Sequence, residues 1–110
     1  MSCCEPEGGP SGAEARVQGV SHAPGHAEVQ QKFLDFLHAA SAPGVLDART
    51  KRAIAIALSV LARCQPCLKT HLGKAREEGF SQEEIDEAAW MGIAFGGSPA
   101  MTFYNGLRRP

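Results

Sequence analysis

Residues 47–79 read DARTKRAIAIALSVLARCQPCLKTHLGKAREEG, and this stretch decides the fold. A helix opens near Asp47 and runs through ARTKRAIAIALSVLAR. Its second half is apolar on every side except Ser59, which marks it as a buried central helix. Pro66 has no N–H to give a continuing helix, but its fixed φ suits the first turn of a new one. A break is therefore expected near Cys64, with a second helix from about Pro66 to Glu78, stopped by Gly79.

The same reading extends outward in both directions. In AEVQQKFLDFLHAA (27–40), Val29, Phe33, Phe36, Leu37 and Ala40 fall on one helical stripe, and SAPG ends the segment. Beyond Gly79, FSQEEIDEAAW supplies a capping box, with Ser81 as N-cap and Glu84 three residues on. That helix is expected to reach about Phe95 and to end at Gly96–Gly97. Ser98 then caps, and Pro99 starts, a last short helix. No segment alternates like a strand. The expectation is an all-α domain of about five helices over residues 26–110. It is preceded by a flexible arm, residues 1–25, crowded with Gly, Pro, Ser and Glu.

Composition limits the partners. The chain has 110 residues, 44% apolar and 21% charged, with a formal net charge of −1. It holds one compact domain and offers no basic surface for nucleic acid or anionic lipid. The apolar run Ala53–Ala62 is about half the roughly 20 residues needed to span a bilayer. The N-terminal stretch lacks the apolar core of a signal peptide. A cytoplasmic location follows as the expectation, and there thiols are kept reduced. In the helix from Ser81, the apolar residues Ile85, Ala89, Trp90, Met91, Ile93 and Phe95 cover more surface than so small a chain can bury. Self-association is the expected remedy.

The chemistry centres on CQPCLKTH. Cys67 and His71 are four residues apart and share a helical face. Cys67 would also lie in the first turn begun by Pro66, where unpaired N–H groups and the helix dipole favour a thiolate over a thiol of pKa about 8.5. Cys64, across the break, is placed to close a disulfide onto Cys67. The arrangement suggests that Cys67 attacks, His71 deprotonates it, and Cys64 resolves the product. Other readings compete. A c-type haem site needs His directly after the second Cys, where this chain has Leu68. A structural zinc site needs four ligands, and these residues make three, leaving His22, His26, His38 or an arm cysteine to complete it. Inert buried cysteines are the third reading.

The stretch Thr50–Ala100 resembles the alkylhydroperoxidase-D-like branch of the carboxymuconolactone decarboxylase family. The shared features are the apolar helix after Thr-Lys, the C-x-x-C-x-x-x-H motif, Gly79 closing its helix, the S-x-E-E-I opening and the GG-x-P-A turn. The resemblance implies an all-α fold forming dimers, trimers or hexamers. It also implies thiol-dependent peroxidase or disulfide-reductase activity with a thiol or dithiol reductant and no bound cofactor. Cys67 would match the attacking cysteine, Cys64 the resolving one and His71 the activating histidine. Two positions depart from the pattern. A relay glutamate twelve residues before the first cysteine is replaced by Arg52, and a histidine before the second cysteine by Pro66. Arg52 cannot serve as a base. It reads as a solvated arginine in a first helical turn or, if turned inward, as a cation favouring a thiolate.

The other candidates are weaker. Cys3 and Cys4 could exchange with another dithiol or bind a soft metal. His22 and His26 read as solvated loop residues, and His38 as a favourable charge near a helix C-terminus. Glu87 is a candidate substitute for the relay carboxylate. Trp90 and Phe95 read as core or subunit-contact residues. A non-enzymatic metal-binding or assembly module of the same fold is the alternative to a redox enzyme.

Overall fold

Caps lay out the fold. In the computed structural model, which describes residues 22–109, the helices are α1 (His26–Ser41), α2 (Ala48–Ala62), α3 (Gln65–Glu77), α4 (Gln82–Gly96) and α5 (Ser98–Leu107). No strand occurs among the described residues. The all-α expectation is met.

Two units divide the chain, residues 1–40 and 41–110. The described part of the first is essentially α1. Its apolar stripe is present as expected, with Val29, Phe33, Phe36 and Leu37 all exposed. His38 lies in its last turn.

In the second unit, α2 is capped by Asp47, whose carboxylate accepts the Thr50 N–H at 2.8 Å and so satisfies one free donor of the helix. The far end of α2 is closed by Arg63 at φ 53°, the left-handed conformation. The Arg63 N–H reaches the Val60 carbonyl and the Cys64 N–H the Ser59 carbonyl, each at 3.1 Å, a Schellman turn. A glycine is the usual occupant; with arginine here the backbone carries about 1 kcal/mol of steric cost. Cys64 is thus the outer residue of one helix's C-terminal turn and, at φ −94° and ψ 103°, the N-cap of the next. Pro66 sits in the first turn of α3, and Gly79 turns the chain out of it at φ 91°.

The Ser81–Glu84 capping box is complete. The Glu84 N–H donates to Ser81 Oγ at 3.1 Å, and the Ser81 N–H to Glu84 Oε1 at 2.8 Å. The start of α5 corrects the expectation. Ser98 is the first helical residue and makes no cap bond; the N-cap is Gly97 at φ 76° and ψ −163°. Its carbonyl accepts the N–H groups of Ala100 and Met101. The joint between α4 and α5 is so short that only glycine's backbone range closes it.

Helix α2 is central, packing on α3, α4 and α5. The core comprises Ile56 and Val60 of α2, Leu68, Leu72 and Ala75 of α3, Ile85, Ala89 and Ile93 of α4, and Ala100 and Tyr104 of α5. Each large aliphatic among them contributes about 1.5–3 kcal/mol by leaving water. The α2–α4 crossing is close enough that a Cβ at Gly92 would overlap the Ala57 carbonyl. Full burial of α2, however, is not what the chain achieves. Ile54, Leu58 and Leu61 are exposed while Ser59 is buried, because α3, α4 and α5 cover one side of the helix only. Trp90 and Phe95 likewise are not core: they are 52% and 80% exposed.

Candidate active site

The two cysteines stand at the N-terminus of α3 and are joined as a disulfide, with Cα atoms 5.3 Å apart. As N-cap, Cys64 offers its sulfur to the Cys67 N–H at 3.4 Å, the place an aspartate or serine oxygen usually takes. Cys67 is the third residue of the helix and is exposed, whereas Cys64 is half-buried. Leu68, directly after, is fully buried and fixes the rotation of α3, so that the Cys67 side faces out. Both sulfurs lie where unpaired helix N–H groups stabilise negative charge.

One turn further along α3, His71 is half-buried. Its Nδ1 lies 2.6 Å from Nη1 of Arg52 on α2. Arg52 is in turn gripped by Glu78: Nε donates to Oε1 and Nη2 to Oε2, each at 3.0 Å, a bidentate pair. Its side chain is 19% exposed. The solvated arginine is therefore corrected: Arg52 turns inward because His71 on α3 and Glu78, the C-cap of that helix, use its planar donors at once. Burial holds His71 below the ordinary imidazole pKa, and the charges of Arg52 and Lys74 push it further down, against a smaller upward pull from Glu78. The Arg52 hydrogen bonds hold Glu78 below the ordinary carboxylate range, more than offsetting its slight burial.

Glu78 is the functional candidate that sequence reading missed. Its only signal is position, one residue before Gly79 and seven after His71, two helical turns along the same face. Glu87 is elsewhere, lining a shallow groove with Arg49, Ala53, Phe80 and Trp90. Arg49 lies over the Phe80 ring at 4.1 Å and pairs with Glu84 at 2.7 Å. His22, His26 and His38 lie in or before α1. Among the described residues, no three His, Cys, Asp or Glu side chains converge as a metal ion requires. Cys3 and Cys4 lie outside the described residues.

A helical unit centred on one apolar helix, with a CxxC at the following helix start, defines a class. Residues 27–106 match the Carboxymuconolactone decarboxylase family, and the chain belongs to it. Among solved structures, it is similar to a family member from Legionella pneumophila (29% identity, TM-score 0.69, covering 74% of this chain and 73% of that one). It is also similar to one from Thermotoga maritima, whose name links it with the antioxidative response (32% identity, TM-score 0.67, 72% of this chain and 68% of that one). An uncharacterised protein of the cox locus of Paracoccus denitrificans is 38% identical over 65 residues, 59% of each chain. The chain spans about three fifths of the length of the curated relatives it matches. No helix among the described residues is long and apolar enough to cross a membrane.

Proposed function

We propose that the protein is a thiol–disulfide oxidoreductase working through Cys64 and Cys67, and that peroxides are among its oxidants. The observation that carries this reading is the exposed Cys67 linked to an N-cap Cys64 at a helix start. In the reduced form the Cys67 thiolate attacks one sulfur of a substrate disulfide. A mixed disulfide forms, and the displaced thiolate takes up a proton. Cys64 then loses its proton and attacks Cys67 Sγ, releasing the second substrate thiol. Two electrons pass to the substrate, and Cys64–Cys67 closes. With a peroxide, the Cys67 thiolate takes the distal oxygen to give a sulfenic acid and an alcohol. Attack by Cys64 then expels water. An external thiol or dithiol restores the pair.

The test follows Cys67 alkylation by peptide mass spectrometry, with and without peroxide, alongside reduction of a disulfide substrate by the pre-reduced protein. Rapid labelling well below pH 8, lost when peroxide closes the disulfide, supports the reading. Slow labelling with no disulfide formed and no substrate reduced rejects it. A homo-oligomer is part of the proposal, supported by the exposed Leu58, Met91 and Phe95 on α2 and α4.

A further inference from the structure

Arg52 has five N–H donors and no acceptor, and guanidinium keeps its charge in proteins. Two of its nitrogens, Nε and Nη2, are committed to Glu78, and the third, Nη1, meets His71 Nδ1 at 2.6 Å. At that distance Nδ1 must present its lone pair. A neutral imidazole with an accepting Nδ1 carries its proton on Nε2. An imidazolium would set two N–H groups, and two cations, against each other. The geometry points to Arg52, held by Glu78, as a positioning residue that fixes His71 in the Nε2–H form, so that His71 serves the dithiol as a hydrogen-bond donor and not as a base. This rests on the redox reading proposed above and reverses the role expected for the histidine from spacing.

The consequence for the chemistry is specific. With Nδ1 occupied by Arg52 and Nε2 already protonated, no lone pair is left to take the Cys67 proton. The thiolate has to arise from the helix N-terminus alone. His71 Nε2–H can then stabilise negative charge on sulfur, or on the oxygen or sulfur leaving from the substrate, without itself gaining or losing a proton. The charged groups acting on His71 are Arg52 from α2, Lys74 from α3 and Glu78, the C-cap of α3. Only Glu78 favours the imidazolium, and its carboxylate is spent on Arg52.

The test is nitrogen NMR of the 15N-labelled full chain, with His71 assigned by comparison with His71→Gln. The expected result for the wild type is the Nε2–H pattern, unchanged from about pH 6 to 8. In Arg52→Leu, His71 should show both neutral forms, and its titration should move up from the wild-type position while burial and Lys74 still hold it below the ordinary imidazole value. Arg52→Lys, still a pure donor, should restore the wild-type pattern. In parallel, the pH profile of Cys67 alkylation should show one ionisation in the wild type and gain a second inflection, from His71, in Arg52→Leu. An Nδ1–H pattern, or titration of His71 between about pH 6 and 8 in the wild type, overturns the inference whether or not the variants fold. A titrating His71 beside a working dithiol rejects this assignment alone. An inert dithiol beside a fixed Nε2–H rejects the redox reading and leaves the assignment standing.

Discussion

Three side chains decide what this site can do, and each was legible in the sequence to a different degree. Cys64 and Cys67 announce themselves by spacing, and Pro66 between them forces the helix start that gives both sulfurs their electrostatic setting. Arg52 is marked only as a departure from the family pattern, and the sequence leaves its direction open. A long side chain in the first half of a helix is ordinarily solvated, and its inward turn depends on Glu78, 26 residues away. That partnership is a product of how α2 and α3 pack, which no local pattern encodes. At this scale the cysteine roles are separable. Cys67→Ser should abolish turnover in a reductant-coupled disulfide assay. Cys64→Ser should still allow the first attack and should accumulate a mixed disulfide on Cys67, visible as a mass adduct. Equal turnover of Cys67→Ser and wild type would end the redox assignment.

At the scale of the element, helix ends were more legible than helix faces. Asp47, Gly79 and the Ser81–Glu84 box are side-chain chemistry written locally, and the fold uses them as read. Arg63 and Gly97 were not readable, because a left-handed arginine is rare and because Ser98-Pro99 carries an ordinary capping signature. The buried sides of α2 were over-read: an apolar circumference describes what a helix can bury, and the neighbours present determine what it does bury. Ser81→Ala should cost about 1 kcal/mol in chemical denaturation, by loss of the capping box. Gly92→Ala should cost about 1–3 kcal/mol, since the added methyl must push α4 away from the Ala57 carbonyl. A neutral Gly92→Ala would mean that the two helices cross less closely than described.

Over the molecule as a whole, the contacts that stabilise the fold and the exposed apolar residues proposed for assembly lie apart. Asp86 of α4 accepts from Tyr104 (2.6 Å), from Gln82 (3.0 Å) and from Arg108, tying α5 and the chain beyond it to α4. Burial raises its pKa, but the hydrogen bonds from Arg108, Tyr104 and Gln82 prevail and hold it at about 2. A carboxylate depressed in the folded state stabilises fully above its unfolded value near 3.9, and that stabilisation is lost as pH falls toward 2. The melting temperature should therefore drop between about pH 5 and 2, and Asp86→Asn, already weakened, should drop less over that window. Assembly should depend on the exposed apolar residues instead: light scattering is expected to give a multiple of the chain mass for the wild type and a lower mass for Phe95→Glu.

Helix α3, finally, is fastened to the rest of the domain at both tips by unlike means. Its start is closed by the Cys64–Cys67 disulfide, with the Cys64 N–H on the Ser59 carbonyl of α2, and its finish is gripped by Arg52 on the Glu78 carboxylate and touched by Arg49 at the Glu78 carbonyl. The second fastening contains no sulfur. In the redox cycle proposed above, gaining two electrons opens the Cys64–Cys67 bond at the start of α3 and losing them closes it again, while the Arg52–Glu78 ion pair at the finish is untouched. Amide hydrogen exchange on reduction should quicken near residues 64–68 and leave residues 74–79 as they were.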